Sequence, residues 1–240
     1  MTRSVETRWA TARYLLGQML PFALLVWLGT LAVAAVVTVA VAFFGEMFPS
    51  AWDVVMQIAR WFVAGIGWYV TFTLLPSHVA YGQTRRAFLR QAVPFALVAT
   101  TAFAALAVAG VALEGLLHRA MGWPLGIDAG RIFAGPDQAA LVFAAVWIQF
   151  AAWLLAGGLV GVAGYRDDGS LLAAIPVALL AVSFAGLAVA PDGLPFLDRL
   201  LGALTIPTGL AVALWLAGCL LAAGVTWIIA RDMPLRTRPA

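Results

Sequence analysis

Arg85, Arg86 and Arg90 stand together in LLPSHVAYGQTRRAFLRQAV, between two apolar runs. Beside a membrane, clustered arginines are ordinary topology anchors. Arg60 and Glu114 form a second candidate pair, each near the outer end of an apolar run. They either snorkel to the interface or pair across two helices and close the outer end of a central cavity. His78 and His118 fall on opposite sides of the topology derived below, and no Cys or carboxylate cluster has ligand spacing, so no metal site is expected. Cys219 is alone in an apolar stretch, where it reads as a small packing group without an intrachain disulfide. A membrane-embedded enzyme needs a nucleophile with a base or a metal set, and neither is visible, so the chain reads as a non-enzyme.

The elements that position these residues follow from composition. Of 240 residues, 64% are hydrophobic and 10% charged, against roughly 25% charged in a soluble domain. Too little polar surface exists to face water, so the solvent is a bilayer. All 14 basic residues are arginine. Without lysine the chain lacks the residue that a G-x-x-x-x-G-K-[ST] loop extends to the terminal phosphates, so ATP chemistry must come from another chain. Net charge of +3 reflects arginines beside apolar spans, and nucleic-acid binding is not expected.

About 20 apolar residues cross a bilayer, and the sequence offers runs at 20–43, 54–75, 92–114, 139–164, 171–190 and 208–230. The expected fold is a single all-α transmembrane domain, 1–240, of six helices. Alternating the loops puts Arg3, Arg8, Arg13, Arg85, Arg86, Arg90, Arg166, Arg231, Arg236 and Arg238 on one side; Arg60, Arg119, Arg131 and Arg199 take the other. The positive-inside rule makes the richer side cytoplasmic, with both termini there. No acidic residue sits near mid-span, so an ion-coupled transport mechanism lacks its usual signature, as does an acid-ringed channel.

Residues 1–19 space Val5, Trp9, Ala12, Leu16 and Met19 as one helical face, which predicts an interfacial amphipathic helix. Ala40 and Ala42 resemble a signal-peptide cleavage site, but the preceding apolar run exceeds the usual 7–15 residues. Residues 115–138 read as an ordered outer turn. Residues 191–207, between Pro191 and Pro207, suit a re-entrant or surface helix. Gly157, Gly158, Gly161 and Gly164 allow close helix approach, either within the chain or at a subunit interface. Trp9, Trp52, Trp123, Trp153 and Trp227 are placed for an interfacial aromatic belt.

In the segment 77–90, Pro76 is expected to end the second span and Ser77 to cap a short helix. The order Tyr81, Gly82, Gln83, Thr84, Arg85, Arg86, Phe88 resembles the G-x-[ST]-R-[RK]-x-[FL] turn in the same loop of small ABC-2-type ABC transporter permeases. Six spans, cytoplasmic ends and GYRDDG between spans four and five resemble that family too, although Asp167 and Asp168 depart from its more basic pattern. The resemblance implies a permease of the bacterial cytoplasmic membrane, paired with a second copy or a second permease. It also implies that Ser77, His78 and the turn residues form a coupling helix against a separate ATPase, which carries the ATP and Mg²⁺. Tyr81 and Phe88 would then be apolar anchors, with Arg85 and Arg86 facing the ATPase or lipid phosphates. A lipophilic or amphipathic export substrate fits the family. The competing reading is a non-transporting anchor, assembly or sensor subunit whose basic loop docks a cytosolic protein.

Overall fold

The computed structural model describes residues 10–44, 51–122, 137–189 and 207–233, which form long helices with no strand among them. The first, α1, is Ala10–Phe44. The second, α2, runs Ala51–Tyr69 and continues through a π-helical Val70–Leu74 into the α-helical turn Leu75–Ala80. Then come α3, Arg85–Met121, α4, Ala139–Arg166, α5, Asp168–Val189, and α6, Thr208–Arg231. All six are long and apolar enough to cross a membrane. Helices suit that solvent because each satisfies its own backbone polar groups. Leu25 and Leu28 on α1, Leu116 on α3, Leu172 on α5 and Leu220 on α6 remain 61–73% exposed, an arrangement that lipid tolerates and water does not.

α4 is the hub, in contact with α2, α3, α5 and α6, while α1 leans on α2 and α3. Its sequence, AALVFAAVWIQFAAWLLAGGLVGVAGYR, is apolar around the whole circumference, as a helix surrounded by other helices requires. Ala152, Leu159, Val162 and Ala163 are fully buried.

Caps, rather than the ends of apolar runs, set the boundaries of α3. Thr84 accepts a hydrogen bond from the Ala87 N–H at 3.2 Å, and Gly122 closes the helix in the left-handed region at φ 69°. The helix therefore spans 37 residues, about 55 Å at 1.5 Å per residue. That exceeds the hydrocarbon thickness, and Arg85, Arg86 and Arg90 are on its first turns rather than in a loop. Pro76 does not end α2. A proline ring strikes the carbonyl four residues earlier, and the π-helical turn occupies that stretch, so the helix passes through Pro76 to Ala80. Ser77 is not a cap either, because its hydroxyl donates back to the Thr73 carbonyl at 2.8 Å.

Residues 10–19 are the opening turns of α1 itself, which continues through Pro21 without a break into its span. Residues 1–9 lie outside the described residues, as do 123–136 of the outer turn and 191–206 of the expected re-entrant segment. Residues 115–121 belong to α3.

Candidate functional site

The turn between α2 and α3 is built by two helix signals placed back to back. Gln83 N–H bonds the His78 carbonyl at 3.3 Å and Gly82 N–H bonds the Val79 carbonyl at 3.0 Å. That pairing is a Schellman stop, and it requires the positive φ of 80° that Gly82 adopts. Two residues later Thr84 caps α3. Gly82 and Thr84 thus have a local reason to be where they are.

Arg85 has another. Its Nη1 donates to the Arg231 carbonyl at 3.2 Å and its Nη2 to the Met233 carbonyl at 2.5 Å. A guanidinium at the C-terminal end of α6 satisfies orphan carbonyls and complements the negative end of the helix dipole. The contact also places the start of α3 and the end of α6 at one end of the bundle, as alternating spans require. Phe88 is 1% exposed and lies against His78, ring centroids 5.1 Å apart, so it locks α3 to the end of α2 instead of facing outward. Tyr81, Gln83 and Arg86 are exposed, and Tyr81 retains 86% of its surface. The turn thus presents an aromatic ring and a cation outward on a rigid, doubly tied support.

Behind the turn, α2 and α4 run parallel in a constant register. Trp61 meets Trp153 edge-on at 4.8 Å, Ala64 faces Gly157, Trp68 faces Gly161, and Phe72 meets Tyr165 at 5.8 Å. A Cβ on Gly157 would strike the Ala64 carbonyl; one on Gly67 would strike Leu154; one on Gly161 would strike Thr71 and Trp68. The two backbones touch, and the Thr71 hydroxyl donates across the seam to the Gly158 carbonyl at 2.8 Å. Gly164 faces Leu171 of α5. The glycine stripe is therefore occupied within the chain. Its counterpart on α2, Ala64-Gly67-Thr71, escaped the sequence reading although small residues at helical spacing mark it.

α3 and α6 diverge above this seam and leave a groove of about 540 Å³. Its floor is α2 and α4, through Gly67, Thr71, Leu154 and Gly158; Leu97 and Leu220 form its lips. Trp147 and Trp215, edge-on at 6.3 Å, line it on the far side from the turn. Trp147 donates to the Thr101 hydroxyl at 3.1 Å, whereas the buried Trp215 Nε1 has no partner among the described residues. At the turn end, Leu89 and Trp227 are shared with a second cavity of about 370 Å³ that Arg85, Arg86 and Arg231 line.

The other expected site residues have their own surroundings. Arg60 Nη1 donates to Gln57 one turn back at 3.3 Å, and Glu114 lies 4.0 Å from His118 one turn on, both side chains of that second pair buried. Asp167 caps the start of α5: its carboxylate accepts from the Ser170 N–H at 2.7 Å and from the Ser170 hydroxyl at 2.9 Å. Those bonds hold its pKa below the ordinary value, which gives the unexpected acid a local purpose. Trp153 is not a belt residue, because it is 8% exposed and packed on Trp61. Trp9 and Trp123, and the side chain of Trp52, lie outside the described residues. Among the described residues no three His, Cys, Asp or Glu side chains converge on a metal position.

These features define the class as a multi-pass α-helical membrane protein. No protein family, curated protein or solved structure matches the chain.

Proposed function

We propose that this chain is the permease subunit of an ATP-driven ABC exporter in a bacterial inner membrane, with both termini cytoplasmic. A separate ATPase, which holds the ATP and Mg²⁺, docks on the turn between α2 and α3, and two such permease chains complete the pathway. The observation that carries this reading is the 86% exposure of Tyr81 beside exposed Arg86, after Gly82, Thr84, Arg85 and Phe88 have been used internally. A large aromatic held out of the bundle suits a protein partner, since such residues anchor interfaces. Arg85 gives the turn leverage. Through its bonds to the Arg231 and Met233 carbonyls, a push on the turn reaches α2, α3 and α6, three of the four helices around the groove. Closing and opening that groove is the mechanical step that ATP turnover would drive.

The same turn would serve a non-transporting anchor or sensor subunit, and one experiment separates the two. The tagged chain is purified from its native membrane beside a Tyr81→Ala, Arg86→Glu variant, with Arg85 left in place to hold α6. The proposal expects an ATPase carrying a Walker A lysine and an ABC signature to accompany the wild type and to be lost with the variant at equal membrane abundance. A stoichiometric partner that is no ATPase would establish the anchor reading instead. A neighbouring reading frame encoding such an ATPase is the inexpensive companion observation.

A further inference from the structure

The groove has two chemically different ends, and its occupant must match both. Along most of its length the wall is apolar, with Leu97, Leu154, Leu216 and Leu220 among its residues. Its polar hydroxyls are internally engaged: Thr71 bonds Gly158, Thr100 bonds the Ala96 carbonyl, and Thr226 bonds the Ala222 carbonyl. From Trp227 at the mouth to Trp215 deep inside is twelve residues of α6, about 18 Å of rise. One leaflet of hydrocarbon is about 15 Å deep. The mouth carries Arg86 and Arg90, one turn apart on α3, with Arg231 opposite on α6. Asp232 is the acid beside them, 3.3 Å from Arg231 Nε. No acidic side chain among the described residues lines either cavity.

We infer that this groove binds one anionic phospholipid, with its phosphate at Arg86, Arg90 and Arg231 and its acyl chains along α3 and α6 toward Trp215. The inference needs only the six-helix membrane protein and does not rest on the permease reading. The groove is open sideways between Leu97 and Leu220, which are 51% and 73% exposed, so a lipid enters it from the bilayer without crossing water. Charge complementarity selects the headgroup: three arginines at the depth of one leaflet's phosphates favour an anion over a zwitterion. A second copy of the chain is the weaker occupant. Two copies meeting through this groove would set Arg86, Arg90 and Arg231 of one against those of the other, where like charges repel, so the paired chains of the proposed pathway would meet through another face.

Tryptophan quenching tests the inference in the intact chain. The protein is reconstituted in phosphatidylcholine vesicles containing either brominated phosphatidylglycerol or brominated phosphatidylcholine at equal mole fraction. The signal of Trp227 is taken as the difference between wild type and Trp227→Phe. The lipid in the groove predicts that the anionic lipid quenches with an association constant larger by about five-fold or more, the factor one basic residue beside an anionic surface supplies. Arg86→Gln, Arg90→Gln and Arg231→Gln together should bring that ratio to one, Arg85 being retained. Ala223→Phe, which fills the exposed apolar wall of α6, should lower quenching by both lipids while the protein still elutes as a single species.

Equal quenching by the two lipids in the wild type would overturn the inference, as would an unchanged preference in the triple variant. If millimolar inorganic phosphate abolished the preference, the mouth would be a simple anion site and the phospholipid would be refuted. Efficient Cys219 to Cys219 crosslinking in membranes, with no quenching at Trp227, would put a second copy in the groove and overturn it as well.

Discussion

Replacing Gly157 with alanine adds one methyl group where α2 and α4 touch. The new Cβ would collide with the Ala64 carbonyl oxygen and lie 2.6 Å from its carbon and 2.8 Å from Ala64 Cα. Ordinary carbon contacts begin at about 3.5 Å, and the obstacle is backbone, which has no rotamer by which to yield. The helices must separate by on the order of 1 Å, and a gap of that size forfeits about a quarter to a half of each dispersion contact along the seam. Overpacking of this kind costs about 1–3 kcal/mol, so the folded-to-unfolded ratio should fall by about five- to 150-fold. Gly158→Ala is the internal control. Its Cβ would find the Thr71 methyl at 3.6 Å and the Gly67 carbonyl oxygen at 3.8 Å, both ordinary contacts, and stability should stay within about 0.5 kcal/mol of wild type. Reversible unfolding by SDS in mixed dodecylmaltoside micelles, followed by far-ultraviolet circular dichroism, reads the difference as a midpoint shift. Should Gly157→Ala unfold at the wild-type midpoint, or Gly158→Ala prove the more damaging, the parallel α2–α4 register would be wrong.

Three further outcomes follow from the same geometry. Thr71→Val removes the interhelical hydrogen bond to Gly158 and should lower the SDS midpoint by the equivalent of about 0.6 kcal/mol, the average for such bonds in membranes, and by no more than about 1.7 kcal/mol. Arg85→Gln removes the charge-assisted bonds to Arg231 and Met233, so amide exchange at residues 229–233 should accelerate by about ten-fold or more while the span of α3 stays protected. The Asp167 carboxylate titrates below its ordinary value of 3.8 because Ser170 bonds the charged form, so its cap is intact above that pH and is lost as the pH falls through the lowered value. Amide exchange at the start of α5 should therefore be slower in wild type than in Asp167→Ala at neutral pH, and the two should converge as the pH drops below 3.8.

Hydropathy was sufficient to find the six long helices among the described residues, because a span must satisfy its backbone internally and expose apolar side chains wherever it meets lipid. The ends were less legible. Thr84 and Gly122 stop α3 beyond its apolar run, and cap chemistry is independent of hydropathy. Pro76 misled for a related reason: a proline ends a regular α-helix, but the π-helical turn before it relieves the clash. Within the candidate site, Gly82 and Thr84 were visible as turn residues. Arg85 was visible only as a charge, since its partners are carbonyls at Arg231 and Met233, about 150 residues distant and chemically identical to every other carbonyl. The glycines of α4 announced a close approach without naming their partner. Choosing α2 required the register that pairs Ala64 with Gly157, a property of three-dimensional packing that one helix sequence does not encode. Cavities raise the same difficulty, because the groove draws on four helices and arises from the divergence of α3 from α6.

Photocrosslinking from Tyr81 probes the proposed docking role of the turn in the membrane itself. Position 81 is replaced by benzoylphenylalanine in cells that retain the native membrane, with Leu116 on the lipid-facing side of α3 substituted as control. A light-dependent adduct is expected from position 81 and not from position 116, with an ABC-type ATPase carrying a Walker A lysine as its partner. Adducts to lipid alone at both positions, or to a protein without a nucleotide-binding motif at position 81, would contradict it.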